Sequence, residues 1–129
     1  MGGMKKKEVN HGIDYLTPFS KVSLVESESP AEKGGLKVGD LVSEFSEVNI
    51  YSIDNLKQLP KYVKEGNPIP IVVMRKCADE GSGPNIFILK DGNKYEKIKC
   101  TVVPSKWVGK GLLGCKIDPL HWSCMSSIP

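Results

Sequence analysis

Gly109, Gly111 and Gly114, three glycines within six residues, flank one lysine and two leucines in Trp107-Val108-Gly109-Lys110-Gly111-Leu112-Leu113-Gly114. Glycine admits positive φ, so such a loop can turn successive backbone N–H groups to one side and form a concavity that favours an anion. Lys110 adds a positive charge beside it. From Cys115 the chain alternates, Cys115 and Ile117 against Lys116 and Asp118, with the period of two of a strand that buries one face. A loop of this kind feeding a strand with a free edge can hold a peptide's terminal carboxylate and pair with the residues before it. Taken alone, the loop also reads as an ordinary glycine-rich turn.

Other chemistries find less support. The four cysteines, Cys77, Cys100, Cys115 and Cys124, are far apart without a C-x-x-C pair, and the histidines are His11 and His121. That spacing predicts no zinc site, and no other cofactor is implied. Without a secretory pattern the thiols are expected to be reduced, as in the cytosol or nucleus, and Cys100 and Cys115 read as small core residues. No G-x-S-x-G or comparable setting surrounds a nucleophile, so no enzyme is predicted. Net charge is +3, and 17 lysines with one arginine are interleaved with acids apart from Lys5-Lys6-Lys7. This is a solvated surface rather than a concentrated basic face, and nucleic acid is not an expected partner. No apolar run approaches the ~20 residues that span a bilayer, and no membrane partner is expected.

The elements that must position the loop follow in chain order. The 129 residues, 40% hydrophobic and 26% charged, fit one domain. Residues 1–16 read as a polar disordered leader, 17–122 as the domain and 123–129 as a loose tail. Lys21 to Glu26 predicts a strand with Val22 and Leu24 turned inward. Ser29, Pro30 and Glu32 predict a short helix with Ser29 as N-cap, Pro30 at its first position, a capping box, and an end at Gly34-Gly35. Leu41 to Phe45 is the next strand. Ser52 reads as the cap of a second helix carrying the apolar stripe Ile53, Leu56, Leu59 and Val63, which Pro60 should kink or break near Leu59. Ile69 to Arg75 predicts a buried strand, and 77–84 a flexible insertion. Ile86 to Leu89 and Tyr95 to Val103 flank Asp91-Gly92-Asn93 as a hairpin.

Ser29-Pro30-Ala31 followed by Gly35-Leu36-Lys37-Val38-Gly39-Asp40-Leu41-Val42 resembles the S-P-A…G-L-x-x-G-D-x-I signature of PDZ domains. The resemblance implies a mainly β fold with two helices, a partly open barrel whose groove between a strand and the longer helix takes C-terminal peptides. The carboxylate loop lies near the C-terminus, an order that looks circularly permuted against most animal PDZ domains. Val103-Pro104-x-x-Trp107-x-Gly109-Lys110-Gly111-Leu112-Leu113-Gly114-Cys115-x-Ile117-x-Pro119-Leu120 is similar, nearly residue by residue, to the end of the proteasome non-ATPase regulatory subunit 9 family of assembly chaperones. That resemblance covers residues 18 to 120 and implies a non-enzymatic module that binds the C-terminal tail of a regulatory-particle ATPase subunit. Such tails end in a hydrophobic-Tyr-x pattern. By position, the N–H groups of Leu112, Leu113 and Gly114 in the Lys110-Gly111 loop would take the carboxylate. Cys115, Lys116 and Ile117 would pair with the peptide, and Ile53 and Lys57 would face the groove. Trp107 would anchor the loop. A PDZ module of an HtrA-like protease, or of a GRASP-like tether, binding other C-terminal peptides, is the alternative; Trp107 to Leu120 matches those proteases less well.

Overall fold

The computed structural model describes residues 17–77, 85–89 and 92–120. The predicted leader, the 123–129 tail, His11, His121, Cys124 and most of the predicted insertion lie outside the described residues. Six strands form one open antiparallel sheet: β1 (Ser20–Val25), β2 (Leu41–Phe45), β3 (Ile69–Lys76), β4 (Ile86–Ile88), β5 (Lys94–Val102) and β6 (Cys115–Pro119), in the spatial order β4-β5-β3-β2-β1-β6. The β3–β5 pairing, Ile69 opposite Val102 through Lys76 opposite Tyr95, is the longest in the sheet. β6, formed after the glycine-rich loop, pairs with β1 and is one edge of the sheet.

The core lies against one face of this sheet, where Val22, Val42, Phe45, Ile69, Ile71, Val73 and Val102 are almost fully buried. These are mostly β-branched residues, which suit a pleated, packed surface. Met74, Leu41 and Tyr95 form a smaller cluster elsewhere. Burying one such side chain contributes about 1.5–3 kcal/mol, so the sheet is held chiefly by its central strands.

Strand β1 departs from simple alternation. Its register against β6 shifts between Val22 and Leu24, a bulge at Ser23. An extra residue in one strand reverses which face its successors occupy. Val22 is therefore fully buried, while Leu24, expected to point inward, is 45% exposed.

The first helix, α1 (Pro30–Lys33), is capped as predicted: Ser29 is extended at φ −82°, ψ 162°, and its side chain accepts from the Glu32 N–H. The reciprocal half of the capping box goes elsewhere, because the Glu32 carboxylate accepts from Glu28 N–H at 2.7 Å. The second helix is shorter than the apolar stripe predicts. It comprises α2 (Asn55–Gln58) and, beginning at Leu59, a 3₁₀ turn over Leu59–Tyr62 that accommodates Pro60 in its first positions. The break falls where proline would otherwise cost about 3 kcal/mol in a helix interior. Ser52 is not its cap. The Ser52 hydroxyl accepts from Asn49 N–H within the preceding turn, and Asp54, left-handed at φ 52°, begins the helix.

Between α1 and β2, Asp40 is 1% exposed and fully engaged. It accepts from the Lys37 N–H and, through both oxygens, from Arg75 on β3, each Arg75 contact being 2.8 Å. Arg75 also donates to the Gly35 carbonyl. The chain's single arginine thus fastens the α1–β2 turn to β3, a use that suits the planar two-pronged guanidinium better than lysine.

Candidate peptide-binding site

The glycine-rich loop is held by its carbonyls. Ser105 N–H donates to Leu112 O at 3.1 Å, Ala31 N–H to Leu113 O at 2.9 Å, and Glu26 N–H to Gly114 O at 2.8 Å. In a planar trans peptide the following N–H points opposite to the carbonyl. The N–H groups of Leu113, Gly114 and Cys115 are thereby turned away from those three anchors. Among the described residues, the Leu112, Leu113 and Gly114 amides donate to no backbone group. The amides with a fixed direction are therefore shifted one residue along from the trio expected from position.

Gly114 makes the turn possible. It sits at φ +75°, and a Cβ there would lie 2.2 Å from the Ser29 Cβ and 2.7 Å from the Trp107 ring. Gly109 is pressed against the same indole. Trp107 is thus packed under two glycines of the loop, with its ring N–H buried and without a partner among the described residues. It anchors the loop, as expected.

Two depressions share Val63, Leu113 and Cys115 as a common wall. The first, about 540 Å³, is lined by the loop from Gly109 to Gly114 and by Trp107, with Leu24 and Glu26 opposite. The second, about 490 Å³, lies between β6 and the broken helix, with Cys115, Ile117 and Pro119 on one side and Leu56, Leu59 and Pro60 on the other. One end therefore presents amides and Lys110, and the other is apolar. The Cys115 thiol is pushed by burial from its ordinary 9.0 up to about 11, so it is neutral at physiological pH and adds to the apolar wall.

Lys110, Gly111, Leu112, Leu113, Gly114, Cys115 and Ile117 are brought together in these depressions. Lys116 is exposed on the alternate position of β6. Ile53 and Lys57 line neither depression, and Ile53 is 81% exposed. The reason is the late start of α2 after left-handed Asp54, which leaves Ile53 in the turn and gives the groove wall to Leu56, Pro60 and Val63. Their i, i+4, i+7 spacing was the available signal. Leu24 and Glu26 had no such signal, because the bulge that turns Leu24 outward leaves no mark in the residue pattern.

Residues 21–75 match the PDZ domain family. This chain carries a PDZ domain. Over 103 residues, 80% of the chain, it is 35% identical to the 26S proteasome non-ATPase regulatory subunit 9 of Homo sapiens, and it covers 39% of that protein. A relative from Schizosaccharomyces pombe, the probable 26S proteasome regulatory subunit p27, is 30% identical over 107 residues, of which 81% of the chain and 42% of the relative take part. The Saccharomyces cerevisiae protein of the same description is 28% identical over 119 residues, 90% of the chain and 46% of the relative. The chain thus spans less than half the length of these relatives.

Proposed function

We propose that this PDZ domain is a non-catalytic module that captures the C-terminal tail of a regulatory-particle ATPase subunit of the proteasome. The observation that carries the reading is the loop in which the carbonyls of Leu112, Leu113 and Gly114 are all bonded inward, leaving a set of amides for a carboxylate. Lys110 stands beside it, and the adjoining apolar groove suits an apolar or aromatic side chain near the end of the tail. The proteasomal relatives support the choice of client class. An ordered short peptide gains modest affinity, and micromolar binding corresponds to about −8 kcal/mol.

Titration with C-terminal peptides of each proteasomal ATPase, in free-acid and amidated forms, tests the proposal by heat or by Trp107 fluorescence. Selective binding of one free acid is expected, weakened several-fold by Lys110→Ala and abolished by Leu113→Asp in a protein that still unfolds cooperatively. Equal binding of amidated and free-acid forms would defeat it. Gly114 is a poorer test position, because its missing Cβ belongs to the packing against Ser29 and Trp107.

A further inference from the structure

The hydrogen bonding of β6 determines which of its backbone groups face the open edge. Glu26 N–H donates to Gly114 O beside the Val25–Cys115 pair, and Leu120 N–H donates to Phe19 O beside the Ser20–Pro119 pair. Bonds in those places mark both pairs as the kind whose own N–H and C=O groups point away from each other. Ile117, midway, follows by the period of two, and its opposite number Val22 bonds instead toward Gly39 and Asp40. Cys115, Ile117 and position 119 therefore face the free edge. At two of them the edge offers an N–H; at the third, proline has none.

We propose that Pro119 sets the length of peptide that the domain reads. This rests on the carboxylate-capture reading above. A tail whose carboxylate lies at the Leu113–Cys115 amides runs antiparallel to β6, toward Pro119. Its last residue pairs with Cys115, and the third residue from its end pairs with Ile117, exchanging both hydrogen bonds. The fifth from the end arrives opposite Pro119, where its N–H can still donate to the Pro119 carbonyl but its own carbonyl meets no donor. The ladder is halved there, and sequence upstream of about five residues contributes little to recognition. Proline at this place also blunts the edge against other strands.

The test is a length series of free-acid peptides, three to eight residues long, against the wild type and Pro119→Val. Position 119 is exposed and its nitrogen faces away from β1, so the Leu120–Phe19 bond is kept in the variant. Wild-type affinity should level off at about five residues. In the variant, peptides of five or more should gain about three- to tenfold, the worth of one hydrogen bond. A second measurement needs no variant: exchanging a single peptide amide for an ester weakens the carbonyl acceptor. Weakening the third residue's carbonyl from the end should lower wild-type affinity several-fold, and weakening the fifth's should change nothing. A wild-type affinity that keeps rising beyond five residues, a variant with no gain, or equal ester effects would overturn the role of Pro119 while leaving carboxylate capture standing. Binding indifferent to amidation, or no binding, would overturn both.

Discussion

Gly111 and Gly114 have nearly the same φ, +74° and +75°, yet different surroundings. Nothing lies within 4 Å of a Cβ built at Gly111, whereas one at Gly114 collides with Ser29 and Trp107. Gly111→Ala should therefore cost only the left-handed strain, about 1–2 kcal/mol. Gly114→Ala should cost clearly more, and paired urea titrations with unchanged m-values check the order. Cys115 gives a pH dependence. Because the folded thiol ionises near 11 and the ordinary thiol near 9, the unfolded chain binds fewer protons between those values. The stability this thiol contributes is complete below pH 9 and lost as pH rises toward 11, by about 2–3 kcal/mol. Cys115→Val should remove that part of the alkaline decline, seen as the difference between the two proteins' stability curves over pH 8–11. At this scale the turning of the loop was legible from glycine spacing, and which amides are fixed was not. Their direction depends on Ser105, Ala31 and Glu26, residues that reach the loop only through the fold.

Among elements, the α1–β2 turn and β3 are joined by the Asp40–Arg75 pair. Arg75→Met would leave the Asp40 carboxylate buried without its main counter-charge. A loss of about 3 kcal/mol is expected, the low end for breaking a buried pair because Arg75 itself is partly exposed. Thermal or urea unfolding checks it, and Arg75→Lys should recover only part. The Gly-Asp signature is readable as a fold determinant in the sequence; its partner thirty-five positions on is not, since no local pattern pairs the two. The helical wall shows the same limit. Pro60 predicted the break, and a break occurs, but the first helical residue depends on the backbone of Asp54 and on Ser52 being engaged with Asn49. Ile53 was lost from the groove for that reason.

At the scale of the molecule, strand order places β3 and β2 innermost and β4 and β6 at the two edges. Amide hydrogen exchange should be slowest in Ile71–Met74, which lie between two paired neighbours, and fastest among strands in β4 and β6. The six strands among the described residues were readable, the half-buried ones from alternation and β3, buried on both faces from Ile71 to Met74, from its β-branched run. The family signature supplied the PDZ fold, while the open sheet's order comes from pairings between distant segments. One of those pairings governs timing. Everything that would hold a peptide on the strand side, from Ser105 to Pro119, is synthesised after β1–β5. At about 5–20 residues per second that stretch follows within a few seconds. Until those residues are made, neither the glycine-rich loop nor β6, the strand that covers β1, exists. Under the tail-capture proposal, a nascent chain that has not yet made residues 105–119 lacks both the loop and the edge strand that would hold a tail.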